Sequence, residues 1–315
     1  MSKEYFKSNK VSQSKIKLFL DCKEKFHYKY VLNNYLDDDT SSKGFGRFYH
    51  TLVLENEQIP NKYTKDLGIK VGGKGGVFIE EYFKTGNKEL AYKACELKAS
   101  IDKVWEDFEK PDNQEYYNFL KSAEGKELIS VDDWDKGYKM LEVLKKHLIY
   151  KQMNLEETEL YTELVIEWQV SYAKSLLKSM LDRVVINHNN KEIIIYDLKT
   201  TKHSNLSGFI YDLKKYRYDI QAIFYINALE FKIKHNLTYK DYQIKFVFVP
   251  QCTEAPYHII QPISLNTNDL DIAYMKYRQA LIDIDDCILL NEWKTNYFSA
   301  NSSGVLTINL NSNEY

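Results

Sequence analysis

The chain has 315 residues, 44% of them hydrophobic and 28% charged, with a mean hydropathy of −0.50; this excludes whole-chain disorder and fibre and leaves length for one elaborated domain or a domain with an appended subdomain. No stretch approaches the roughly 20 apolar residues of a membrane span, and residues 1–10 are polar without the apolar core of a secretion signal, so the chain is expected to stay in the cytoplasm. The net charge of −2 argues against a polyanionic partner only until its distribution is read: residues 1–50 carry 10 basic and 6 acidic side chains and residues 191–240 carry 9 and 5, so each block is +4, while 51–190 (20 and 25) and 241–315 (4 and 9) are each −5.

In chain order, Ser12 or Ser14 can cap a first helix, along which Ile16, Phe19, Leu20, Phe26 and Tyr30 recur at helical spacing. After a polar run at 37–43, Gly44 and Gly46 mark a turn into FGRFYHTLVLE, a second apolar helix carrying His50. Residues 55–155 read as mostly helical, with breaks at 68–76, Pro111 and Gly125. From Glu163 the period changes: TELVIEWQV alternates like a strand, SMLDRVVI and EIIIYDLKT follow as two more, and residues 188–191 form the polar turn between the last two. A helix over 211–235, a strand IKFVFVP stopped by Pro250, a helix over 269–290 and a frayed polar end complete the order. Cys22, Cys95, Cys252 and Cys287 lie far apart with no CxxC pair, which reads as four reduced thiols rather than a disulfide framework or a zinc site.

The densest chemical signal is Asp182 followed by Asp197, Leu198 and Lys199. Asp182 is expected to close one strand, and Asp197 with Lys199 to lie near the end of its hairpin partner, where residues two apart share a face. The two carboxylates can then meet at one sheet edge, where they repel unless a divalent cation or a shared proton joins them. Oxygen ligands suit magnesium or manganese, and an ammonium beside a metal and its water is suited to phosphodiester hydrolysis. An isolated D-x-K also fits an ordinary solvated strand edge, so context decides. Gln221 and Tyr225, spaced i, i+4, share a face of the next helix.

With His50 upstream, this set resembles the PD-(D/E)XK nuclease superfamily in its RecB-like branch, most closely the RecE and lambda exonuclease type of phage recombination. The segments that carry the resemblance are SQSKIKLFLDCKEKFHYKYV, GFGRFYHTLVLE, GKELISVDDWDKGYKMLEVLKKH, SMLDRVV with YDLKTTK, and QAIFY, which together span 11–250 in the family's order. The resemblance implies an α/β fold, a central mixed β-sheet flanked by helices with a helical insert. It divides one nuclease domain, 1–315, into N-terminal helices with the histidine motif (1–55), the insert (56–155), the catalytic core (156–250) and a C-terminal helix and tail (251–315).

Carried over residue by residue, the resemblance implies metal ligation by His50, Asp182, Asp197 and the backbone carbonyl of Leu198, with Lys199 as the catalytic lysine. Gln221 and Tyr225 support the site and the bound strand, and Glu163 stands where relatives often place a further acid. Ser12, Ser14, Lys23, Lys25, Arg47, Lys202 and Arg217 are candidate DNA contacts. Ser179 replaces a glycine common three residues before the second-motif aspartate, which puts only the local turn in question, and Val185 stands where some members have another acid. The expected cofactor is Mg2+ or Mn2+. No iron–sulfur cluster is expected, because relatives that hold one place three cysteines together near the C-terminus. The implied activity is a DNA exonuclease that resects double-stranded ends for a single-strand annealing protein, as a ring-shaped homo-oligomer, in a bacterial cell and from a phage or prophage gene. The alternatives are a single-strand- or structure-specific nuclease of repair or defence, and a catalytically silent DNA-binding module.

Two patterns carry less. Gly68, Gly73 and Lys74 begin a GxxxxGK phosphate loop, but Gly75 stands where a Ser or Thr would reach magnesium, so a glycine-rich turn is expected. Trp105, Trp134, Trp168 and Trp293 read as packing residues.

Overall fold

The computed structural model describes residue 5 and residues 8–34, 41–95, 98–234 and 236–294; the expected helix end at His235, residues 37–40 of the polar run and the tail from 295 lie outside them. The centre is a four-stranded mixed sheet in the order β3-β4-β5-β6. Helices α1 (Gln13–Asp21), α2 (Lys23–Phe26) and α3 (Ser41–Leu54) precede it, with a π-helical turn at His27–Val31. After α4 (Ile59–Lys62) and β1 (Tyr63–Asp66), an excursion of α5 (Gly73–Thr85), α6 (Lys88–Ala94), α7 (Ile101–Phe108) and α8 (Pro111–Ala123) returns as β2 (Glu127–Ser130). Helices α9 (Val131–Lys146) and α10 (Leu148–Met153) lead into the sheet: β3 (Glu159–Trp168), β4 (Leu177–Asn187) and β5 (Glu192–Thr201). Helices α11 (Leu206–Lys215) and α12 (Tyr218–Ile233) cross over to β6 (Gln243–Cys252), and α13 (Thr267–Leu290) closes the chain.

β3–β4 and β4–β5 are antiparallel, and β5–β6 is parallel, as a hairpin group followed by a helical crossover requires. The β4–β5 turn is made by Asn187, whose side chain takes the Asn190 N–H at 3.0 Å, and by Lys191 at φ 51°. Alternation sorts β5 between two cores. Ile193 and Ile195 pack with Ile220 and Phe224 of α12 and with Ile16 and Phe19 of α1. Ile194, Tyr196 and Leu198 pack with Phe48 and Leu52 of α3 and with Met140 and Leu144 of α9. Each such side chain removed from water contributes about 1.5–3 kcal/mol, and this double anchoring holds β5 rigidly under the residues described below. Helix α12 is buried nearly all round, from Ile220 to Leu229, because α13 covers the side that the sheet does not. Gln221 is thus a polar side chain placed in an interior. Among the described residues no helix is long and apolar enough to cross a membrane.

Several expectations are corrected, among them the turn at Gly44 and Gly46, which lie inside α3. Asp182 does not close its strand; β4 runs on both sides of it. The single helix expected over 211–235 is two, because Arg217 takes the left-handed conformation (φ 50°, ψ 52°) between them. The β6 strand passes through Pro250 to Cys252. It can do so because β6 is the sheet's edge and makes only isolated bridges, to Ile259 and Ile263, on its outer side. The insert is mostly helical, as expected, and adds two short strands: β1 and β2 pair in parallel, Tyr63 with Glu127 through Asp66 with Ser130. Each strand is four residues long, too short to announce itself by periodicity, and forms only because its distant partner is brought to it. The helices between them share a separate core that includes Phe78, Ile79, Val104 and Phe108. The glycine-rich stretch opens α5 at Gly73. Ser179 lies within β4, fully buried and paired with Ile166, so no turn forms there.

Candidate active site

The antiparallel ladder between β4 and β5 runs from Asn187↔Glu192 to Arg183↔Tyr196 and stops. The next position in the same register sets Asp182 opposite Asp197. Freed from the ladder, the Leu198 N–H donates to Asp182 Oδ2 at 3.0 Å. On the other side of β4, Thr162 pairs with Arg183 and Leu164 with Leu181, while Glu163, opposite Asp182, is skipped and takes a φ of 46°. Glu163, Asp182 and Asp197 therefore occupy one row across three adjacent strands, at the point where both ladders are interrupted.

Asp197 is 1% exposed. Gln221 Nε2, aimed from α12, donates to its Oδ1 at 2.6 Å, and Lys199 Nζ forms an ion pair with its Oδ2. That second oxygen is buried and, despite the ion pair, meets no donor in hydrogen-bond geometry. His50 arrives from α3, with Nδ1 3.4 Å from Asp182 Oδ2. Burial pushes the Asp182 carboxyl up to about 6, with the Asp197 charge adding to the effect and His50, Lys199 and the Leu198 N–H opposing it. Burial works against the Lys199 ammonium, yet Asp197 and Asp182 outweigh it and its pKa is raised. Burial also drives the Tyr225 hydroxyl well above its ordinary range, so it stays a neutral phenol.

These groups fit a divalent cation. Two carboxylates in one buried row hold more negative charge than their surroundings neutralise, and an imidazole nitrogen stands beside Asp182. Among the described residues, however, no three His, Cys, Asp or Glu side chains converge into a ready-made cage. His50 and Asp182 form one half of the arrangement, and Asp197, held by Lys199 and Gln221, forms the other.

The site opens into a cleft of about 590 Å³ whose walls include Ser12, Ser14, Arg47, His50, Asp182 and Tyr225. A neighbouring recess of about 1080 Å³ shares Lys43 with it and adds Lys17, Lys215, Arg217 and Tyr218. A third, of about 500 Å³, continues past Thr200 to Lys202. Of the candidate DNA contacts, Ser12, Ser14, Arg47, Lys202 and Arg217 therefore line one connected surface. Ser12 sits at the cap of α1, but its hydroxyl is bonded to that of Ser14 at 2.9 Å and does not cap the helix. Lys23 and Lys25 are not on this surface. Lys23 faces α13, 3.8 Å from Asp283, and Lys25 is exposed beside Asp21 at 3.9 Å; the break between α1 and α2 at Cys22 rotates them away. Glu163 is half-buried and acts electrostatically on Lys62, which bonds Glu55 at 2.6 Å. Sequence reasoning missed Lys17 and Tyr218, which carry no motif and meet only in the fold. The four tryptophans pack: Trp168 and Trp293 are buried, Trp134 stacks on Phe48, and Trp105 joins the insert's core.

No curated protein matches the chain. A solved structure from Eubacterium rectale, of a protein described provisionally as an exonuclease, is similar over 95% of this chain and 96% of that one, with a TM-score of 0.49 and 10% identity. The sequence model of the PD-(D/E)XK nuclease superfamily matches residues 10–301. With that match spanning nearly its whole length, the chain belongs to the PD-(D/E)XK nuclease superfamily.

Proposed function

We propose that this protein is a Mg2+- or Mn2+-dependent deoxyribonuclease that acts as an exonuclease on double-stranded ends, preparing them for a single-strand annealing protein. The observation that carries the nuclease reading is the row of Asp182 and Asp197 with Lys199 and Gln221, of which Asp182 lines a cleft edged by basic side chains. Members of the superfamily generally use divalent metals such as Mg2+.

His50, Asp182, Asp197 and the Leu198 carbonyl would hold the ion. When bound, it supplies Lewis acidity toward a phosphoryl oxygen and makes water more acidic. The chain's own groups do the rest. Lys199, kept charged by the two carboxylates, stabilises negative charge developing at phosphorus and orients the attacking water. Gln221 fixes the Asp197 carboxylate so that it does not rotate toward Lys199 alone. Tyr225, held neutral at the cleft wall, offers a phenol to the bound strand without adding charge. Lysines and arginines along the three recesses attract the backbone phosphates. A closed homo-oligomer around the duplex is part of this proposal, by analogy with ring-forming relatives.

The test is digestion of a linear duplex labelled at either the 5′ or the 3′ end, beside closed-circular and single-stranded controls, with Mg2+ or Mn2+. Stepwise loss of label from linear duplex alone is the expected result. Cleavage of circles or a preference for single strands would replace it with a structure- or single-strand-specific nuclease.

A further inference from the structure

The phenol ring of Tyr218 carries two ammonium groups: Lys199 Nζ lies 4.9 Å from its centroid and Lys17 Nζ 5.4 Å. The ring is itself held in place, packed against Phe209, Phe248 and Tyr216. Lys199 has Asp197 as its counter-ion. Lys17 has no carboxylate partner among the described residues, and the neighbouring Arg217 is already spent on Asp219, with contacts at 3.0 and 3.1 Å. A half-buried lysine facing a second lysine costs stability unless something anionic joins it. The recess that Lys17 lines is open, about 1080 Å³, and its other cations include Lys43 and Lys215. It adjoins the cleft that holds His50 and Asp182, with which it shares Lys43.

We propose that Lys17, seated on the Tyr218 ring beside Lys199, binds a phosphodiester next to the scissile one in the strand being cut. The inference rests on the nuclease reading and deepens it. Position α1 against α12, and one ring serves both lysines: Lys199 at the phosphate that reacts and Lys17 at its neighbour. The strand then crosses the site from the His50 cleft, past Lys199, into the Lys17 recess. Burial, with the repulsion of Lys199 adding to it and Asp197 and Asp219 only partly opposing it, brings the Lys17 ammonium down to about 7, so an arriving phosphate also restores its charge.

The test uses the full chain and linear DNA carrying a single methylphosphonate, which is uncharged, stepped through the positions around the first bond cut. For the wild type, kcat/KM should fall about ten-fold at one position beside that bond, the worth of one charge-assisted contact. Lys17→Met, which keeps the apolar stem, should lose a similar factor on ordinary DNA and nothing further at that position, and Lys17→Arg should recover most of the loss. A Lys17→Met protein that melts like the wild type and is slowed, but keeps its full methylphosphonate sensitivity everywhere, would overturn the proposal. If the wild type cuts no DNA, the nuclease reading fails by itself, and the recess is judged by equilibrium binding of a single-stranded oligonucleotide in EDTA across a salt series. There the slope of log K against log salt should drop by roughly 0.7 in Lys17→Met; equal slopes would remove the phosphate site.

Discussion

Leu198 gives its backbone N–H to the carboxylate of Asp182, 3.0 Å away, at the position where β4 and β5 cease to pair. A strand amide normally belongs to its neighbour's carbonyl; here a side chain takes that role and is fixed to the backbone of the residue between Asp197 and Lys199. The distortion and the chemistry share one cause, a carboxylate inserted into a sheet.

Asp182 is ionised at pH 3.8 or above in an unfolded chain but only above about 6 in the fold. The folded state therefore binds more protons between those values. Metal-free protein should lose stability as pH rises through about 6, by at most ~3 kcal/mol. Asp182→Asn should flatten this dependence and raise the melting temperature at pH 8 about three times as much as at pH 4.5. Thermal melts in EDTA at both pH values check it, and a variant less stable than wild type at pH 8 contradicts it.

Asp197 and Lys199 are a buried pair, 1% and 16% exposed at the side chain. Removing one leaves an unpaired interior charge, so Asp197→Asn and Lys199→Met should each destabilise the protein by about 3 kcal/mol, while the double variant should return to within about 1 kcal/mol of wild type. Cleavage should fall by about 10³-fold or more in all three. Urea unfolding and end-labelled digestion separate the two effects; Mg2+-dependent cleavage retained in both single variants would sink the assignment.

Gln221→Leu strips a donor from Asp197 Oδ1 within the buried stretch of α12. The loss should be about 1–3 kcal/mol of stability, together with a lower kcat, since the carboxylate is then free to turn. Gln221→Glu should be worse, because a second carboxyl would face the first. Melting curves and steady-state kinetics on the two variants should rank them in that order.

Gly137 lets α9 press on α3: a Cβ there would lie 2.7 Å from Phe48 Cε1. Phe48 is two residues from His50 on the same helix. Gly137→Ala should cost about 1–3 kcal/mol by overpacking and weaken Mn2+ binding by displacing His50, as calorimetry would register. Unchanged affinity would mean that α3 yields without moving its histidine.

The polar and apolar periods of the sequence were enough to draw β3, β4 and β5, because each is long and two-faced, and to mark Asp182, Asp197, Lys199, Gln221 and Tyr225 as one group through their spacing and family resemblance. What spacing cannot express is register. That Asp182 lies opposite Asp197, that Glu163 completes the row, and that the ladders break there depend on how three strands align, a property of pairs of segments rather than of any one. Charge told a similar story: the +4 blocks at 1–50 and 191–240 foretold a basic surface but not its membership. Lys23 and Lys25 share their helical run with Lys17, yet the break at Cys22 turns Lys23 toward α13 and leaves Lys25 exposed beside Asp21, while Lys17 meets Tyr218. Local sequence chose the residue types, because helix and strand periods are short-range. Only tertiary packing chose their neighbours, because a cation's partner here is a ring some two hundred positions away, at 218.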